Sequence, residues 1–145
     1  MEVYTIGFTK KNAREFFGRL KQAGIRRLVD IRLHNASQLA GFTKKEDLRF
    51  FLEAVCGAEY VHEPLLAPTQ SLLDDYKKRK GSWQEYEAGF LRLMEERRIE
   101  HALSRDLLDR PTVLLCSEPE PDCCHRRLVA EYLRAKWGDL AIVHL

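Results

Sequence analysis

Five short apolar runs, Val3 to Phe8, Leu28 to Arg32, Tyr60 to Glu63, Thr112 to Ser117 and Leu140 to Leu145, alternate with segments of helical periodicity. Continuous apolar runs of this length suit strands buried on both faces, and a helix between successive strands is how a chain returns to start a parallel neighbour. The pattern predicts an α/β fold: a single domain, 1–145, with a mostly parallel five-stranded sheet and helices on both faces. A chain of 145 residues suffices for one such core and is too short for two ordinary ones.

The helices carry their own marks. Ala13, Phe16, Phe17, Leu20 and Ala23 fall at helical spacing, with Gly24 placed to end the helix. Thr43-Lys44-Lys45-Glu46 reads as a capping box ahead of Leu48, Phe51, Leu52 and Val55. Ser82-Trp83-Gln84-Glu85 reads as another, followed by Tyr86, Phe90, Leu93 and Met94 and a basic end at Arg97-Arg98. After the fourth strand Asp122 is expected to N-cap a helix carrying Leu128, Val129, Tyr132 and Leu133 and ending near Gly138. The stretch from Pro64 to Gly81 is the least regular. Its Lys77-Lys78-Arg79-Lys80 run reads as a solvated helix end or, more sharply, as a basic lid over an anionic ligand. Trp83 and Trp137 are expected in the core.

Composition narrows the partners. A chain 45% hydrophobic and 32% charged is not a disordered tail or a Pro-rich linker. With 24 Lys and Arg against 22 Asp and Glu, its charge of +2 makes no strong field for nucleic acid. No apolar run approaches the roughly 18 residues of a membrane-spanning helix. The opening MEVYTIGF lacks the basic and apolar regions of a secretion signal, so the expected address is the cytoplasm and no membrane partner is expected. In that setting the four cysteines are expected to be reduced thiols, metal ligands or a nucleophile rather than a disulfide framework.

In open α/β sheets ligands bind beyond the carboxyl ends of the strands, and the polar residues gather there. The first strand ends in Thr5-Ile6-Gly7-Phe8-Thr9, the second in Asp30-Ile31-Arg32 with His34 beyond, the third in His62-Glu63, and the fourth in Cys116-Ser117-Glu118. The segment after the fourth strand opens a helix with Cys123-Cys124-His125-Arg126-Arg127. A helix start is electropositive and offers free N–H groups, so it can hold a phosphate or depress the pKa of a nearby thiol. Arg126 adds a fork for phosphate or carboxylate. Cys116 is then a candidate nucleophile, with Glu118 or His125 as acid or base. Against this, a cysteine ending a buried strand is commonly a small core residue, and Asp30 and Arg32 can simply pair with each other. Cys56 and Cys123 are assigned to packing.

Three motif tests follow. The Cys-x5-Arg loop of tyrosine phosphatases fails, because Asp122 stands six residues after Cys116. Rhodanese-type sulfurtransferases are similar at Leu28-Val29-Asp30-Ile31-Arg32, but Glu118 and Glu120 replace their basic loop. For zinc, Cys116, Cys123 or Cys124, and His125 could supply ligands with His34 or His62 as a fourth; no CxxC pair is present, and no metal is assigned.

Taken together, Tyr4 to Thr9, Leu28 to Arg32, Tyr60-Val61-His62, the Trp83 to Tyr86 region, and Cys116-x-Glu118 followed by Cys124-His125-Arg126 resemble the bacterial and archaeal family grouped as domain of unknown function 488. The resemblance implies a small α/β fold and a shared polar site at Thr5, Gly7, Asp30, Arg32, Cys116, Glu118, Cys124, His125 and Arg126. It implies no established reaction and no known cofactor. Two departures stand out: Ser37 is followed by Gln38 where the family usually carries Ser-Arg, and Ala67-Pro68 replaces a usual glycine pair.

The leading expectation is an enzyme acting on a phosphorylated or nucleotide-like anion. Cys116, Glu118 and His125 would do the chemistry, and Thr5, Gly7, Asp30, Arg32, Cys124 and Arg126 would bind substrate. The rival is a non-catalytic nucleotide or nucleic-acid binding module, for which Lys10-Lys11, Arg26-Arg27, Lys44-Lys45 and Lys77 to Lys80 speak.

Overall fold

The computed structural model describes residues 1–35, 41–117 and 124–145. Strands β1 (Glu2–Gly7), β2 (Arg27–Asp30), β3 (Glu59–His62), β4 (Thr112–Cys116) and β5 (Ala141–His144) form one sheet in the order β3-β2-β4-β1-β5. Every neighbouring pair is parallel, so the expected "mostly parallel" sheet is wholly so. The α-helices are α1 (Ala13–Gln22), α2 (Lys45–Phe51), α3 (Gln70–Lys77), α4 (Trp83–Arg97), α5 (Ile99–Ala102) and α6 (His125–Trp137).

Right-handed crossovers explain which helix covers which face. The steps from β1 to β2 and from β2 to β3 both move toward the β3 edge, and α1 and α2 cover one face. Those from β3 to β4 and from β4 to β5 move the other way, and α4 and α6 cover the opposite face. Alternation along β4 fits: Val113 and Leu115 pack with Phe16, Leu20 and Leu48, while Leu114 and Cys116 pack with Phe90, Met94 and Leu128. The central strands β1 and β4 are where the chain changes direction, and in register Gly7 faces Cys116 there. A crevice opens at such a switch point.

Several local expectations need correction. Thr43 does not cap α2: it is buried in a 3-10 turn (Gly41–Thr43), where its carbonyl accepts from Arg32 Nη2 at 2.7 Å, and Lys44 takes the N-cap position without a side-chain bond. Beyond α2 the chain widens into a π-turn (Leu52–Cys56), which rotates the expected apolar face, so Phe51 and Val55 stay partly exposed while Leu48 and Leu52 are buried. The stretch from Pro64 to Gly81, read as irregular, contains a 3-10 turn (Pro64–Leu66) and α3, whose N-cap Thr69 accepts from the Leu72 N–H at 3.1 Å. The N-cap of α6 is Cys124 rather than Asp122, which lies outside the described residues. Ser82 caps α4 as expected, accepting from the Glu85 N–H at 3.1 Å. Among the described residues no helix is long and apolar enough to cross a membrane.

Candidate functional site

β4 ends at Cys116 and α6 begins after Cys124, so the strand end and the helix start meet on the α4/α6 face. The two cysteines are joined by a disulfide, with Cα atoms 7.3 Å apart. This corrects the expectation of free thiols: only eight positions separate the pair in sequence, but the fold brings them together. His125, the first residue of α6, donates from Nε2 to the Ile31 carbonyl at 2.8 Å, since a carbonyl can only accept. In the neutral ring the lone pair is then on Nδ1. Two sulfurs and one imidazole nitrogen lie within 4.8 Å of one another.

These groups line a cavity of about 230 Å³ at the strand ends, together with Arg32, His34 and Ser117. The helices α3 and α4 supply an aromatic wall of Tyr76, Trp83 and Tyr86. Trp83 stacks on Tyr86 with ring centres 5.1 Å apart and an angle of 24°, and Tyr76 meets Trp83 edge-on at 5.6 Å. Lys77 sits over the Tyr76 ring at 5.5 Å and also lines the cavity. Trp83 was expected in the core. It packs against the core and lines the cavity as well.

Asp30 occupies the other face of the sheet, in step with Leu28. It is fully buried and accepts from Arg32 Nε and Nη2, both at 2.8 Å, from the Arg32 backbone N–H at 3.1 Å, and from the Tyr60 hydroxyl at 2.6 Å. Burial and the Asp30 carboxylate push the Tyr60 phenol well above its ordinary 10.0, so it stays a donor. Asp30 and Arg32 thus form the simple pair that the sequence allowed, yet Arg32 reaches past the strand end to line the cavity. Among the described residues its buried Nη1 has no hydrogen-bond partner.

The remaining expected site residues separate. Thr5 is buried one level down, its hydroxyl 2.5 Å from His144 Nδ1, and is not part of the cavity lining. Gly7 stands beside Cys116 across the sheet. Arg126 is fully buried behind the pair, with Nη1 3.9 Å from Cys124 Sγ, and does not line the cavity. Arg127 turns away to Glu131 at 3.1 Å. His34 contacts Gln70 Oε1 at 2.7 Å, and His62 Nε2 donates to the Arg32 carbonyl at 3.1 Å. Glu118 and Cys123 lie outside the described residues.

Some of the basic residues are held in ion pairs. Arg27 is held by Glu59, by Asp109 at 3.0 Å and by two carbonyls. Lys78 and Arg79 pair with Asp74 and Asp75 along the helix, as a solvated helix end does. Lys77 belongs to the run read as a solvated helix end or a basic lid, and the aromatic wall of Tyr76, Trp83 and Tyr86 is not assigned from sequence. The signal was present: aromatic residues on two neighbouring helices, visible as one wall only once α3 and α4 pack together.

A family model described as Domain of unknown function DUF488 matches residues 12–133, from the N-cap of α1 into α6. Thr5 and Gly7 fall outside that stretch. No curated protein and no solved structure matches the chain.

Proposed function

The chain belongs to the domain of unknown function 488 family, and from that membership and the cavity we propose an enzyme acting on a phosphorylated or nucleotide-like anion, with its chemistry at the Cys116 sulfur. The observation that carries this reading is one cavity lined by a stacked aromatic wall, a buried guanidinium with one nitrogen unpaired among the described residues, and a cysteine sulfur. A planar ring packs against the half-buried Tyr76 and Trp83, while Arg32, Lys77 and the start of α6 attract its anion. The volume is somewhat below the ~300–1,000 Å³ of drug-sized pockets, which suits a base or a sugar phosphate.

The sulfur must first be freed. Two molecules of a small thiol supply two electrons and two protons, become one disulfide, and leave Cys116 and Cys124 as thiols. Glu118 or His125 takes the Cys116 proton, and the thiolate attacks carbon or phosphorus; the sulfur bond forms as the leaving-group bond breaks, and the same group returns the proton to the leaving group. Water or an acceptor completes the turnover by displacing the thiolate.

The test uses reduced protein carrying Trp137→Phe, so that Trp83 is the sole tryptophan. Titration with 5′-AMP is expected to quench it saturably, and Lys77→Ala to weaken the binding. Release of base or phosphate, followed by chromatography, is expected to stop in Cys116→Ser while quenching persists. Absence of quenching by AMP and by ribose 5-phosphate up to millimolar levels would overturn the ligand. Quenching without turnover, joined to a steep salt dependence of nucleic-acid binding, would replace the enzyme with the binding module.

A further inference from the structure

The geometry points to a zinc site in the reduced protein, formed by Cys116 Sγ, Cys124 Sγ and His125, with one coordination position left open toward the cavity. This goes beyond the reading above and does not rest on it.

Zinc takes thiolate and imidazole donors, and a site with three protein ligands and a fourth, open position is the catalytic type. The donor atoms here already lie within 4.8 Å of one another. Two thiolates on a tetrahedral zinc, each about 2.3 Å from the metal, sit about 3.8 Å apart, so opening the disulfide lets the sulfurs separate to a spacing the backbone accommodates. The Cα atoms of the pair are 7.3 Å apart, beyond the roughly 4.4–6.8 Å usual for a disulfide, and the backbone therefore leaves room for a metal between the sulfurs.

The surroundings agree. His125 donates its Nε2 proton to the Ile31 carbonyl, the outer bond by which metal-ligating histidines fix their tautomer and present the other nitrogen. Arg126 Nη1 lies 3.9 Å from Cys124 Sγ, which places a guanidinium beside the sulfur pair. A divalent cation balances the two negative charges of a buried pair of thiolates. Cys116 and Cys124 are each only 2 % exposed, but the cavity they line gives an ion its path and leaves room for a water or an anionic oxygen in the fourth position. The missing CxxC spacing is no obstacle, because the two sulfurs come from a strand end and a helix start rather than from one turn. Zinc-loaded and metal-free reduced protein are two states of one site: in the first the Cys116 sulfur is held on the metal, in the second it is free to attack.

The test is metal binding by the full chain after reduction with a phosphine, using Co²⁺ and Zn²⁺ alone as probes. One equivalent of Co²⁺ is expected, with the visible bands of a tetrahedral ion and a near-ultraviolet thiolate-to-metal band. Cys116→Ser, Cys124→Ser and His125→Gln are each expected to weaken binding by at least about tenfold, the least that losing a ligand's own partner costs. Cys56→Ser is expected to leave it unchanged. In the unaltered protein, Zn²⁺ is expected to slow alkylation of Cys116 and Cys124 and not of Cys56, a readout that holds even where a variant fails to fold. Equal alkylation rates with and without zinc, or an undiminished thiolate band in Cys116→Ser, would overturn the site. AMP quenching of Trp83, measured on chelator-treated protein, is independent of these outcomes, so either reading can fail alone.

Discussion

Replacing Asp30 by Asn keeps the shape of the side chain and removes its charge, and the structure sets the size of the loss. Arg32 is 3 % exposed and its guanidinium is held by two bonds to that carboxylate, with the Thr43 carbonyl as its other acceptor. Breaking a buried ion pair by removing one partner costs about 3–5 kcal/mol, because the other charge remains buried and uncompensated. For 145 residues at about 2.1 cal/mol/K per residue, the unfolding entropy is about 0.3 kcal/mol/K, so Tm falls by about 10–16 °C. Calorimetry at neutral pH on reversible melts reads this directly. Tyr60→Phe removes one hydrogen bond to the same carboxylate, about 1.5–3 kcal/mol or about 5–10 °C. The double variant Asp30→Asn/Arg32→Met removes the stranded cation and is expected to melt above Asp30→Asn alone. A fall of less than about 3 °C in Asp30→Asn, or a double variant that loses the sum of both singles, would refute the buried pair and with it the fixed position assigned to Arg32.

Other outcomes follow from single residues. Gly18 lies inside α1 with nothing within 4 Å of a built Cβ, so Gly18→Ala is expected to stabilise by about 0.5–1 kcal/mol and raise Tm by about 2–3 °C. Gly81→Ala is expected to destabilise, because its Cβ would meet the Asp75 carbonyl oxygen at 2.8 Å in the α3–α4 turn; urea midpoints compare the two. Burial pushes the Cys56 thiol above its ordinary 9.0, so its alkylation rate on folded protein, resolved by peptide mass spectrometry, should rise only at more alkaline pH. Glu100 is held below its ordinary 4.5, chiefly by the hydrogen bond from the Tyr132 hydroxyl. A depressed carboxyl contributes stability that is present above its unfolded value and lost as pH falls through the folded one. The Tm gap between the unaltered protein and Glu100→Gln should therefore hold from neutral pH down to about 4.5 and shrink below it.

Strand placement was legible because the central parallel strands are buried and largely apolar, and each of the five runs lands within two residues of its strand, even at β5, an edge strand with no buried residue. The sheet order was not legible, since β4 inserts between β2 and β1 by packing that no local pattern encodes. The Thr43 capping box misled because tertiary demand outweighed local preference: Arg32 draws the Thr43 carbonyl inward. α3 was hidden by its flanking prolines and charges, although Thr69 ahead of Leu72, Leu73 and Tyr76 is a cap and an apolar stripe. The Cys116, Cys124 and His125 cluster could be read as a group of reactive residues on one segment, and its covalent link could not, because a distance between a strand end and a helix start is a property of the fold.

The fixed guanidinium of Arg32 also bears on the kind of ligand proposed for the cavity. Four hydrogen bonds that it donates, one of them from its backbone N–H, immobilise the residue before anything arrives. A ligand that meets it avoids the ~0.5–1.5 kcal/mol of ordering that a mobile side chain would exact at binding. The same rigidity removes tolerance. Arg32 cannot swing to follow an anion displaced by an ångström, so a family of near-identical phosphates would be ranked by where their oxygens fall rather than by how much charge they carry.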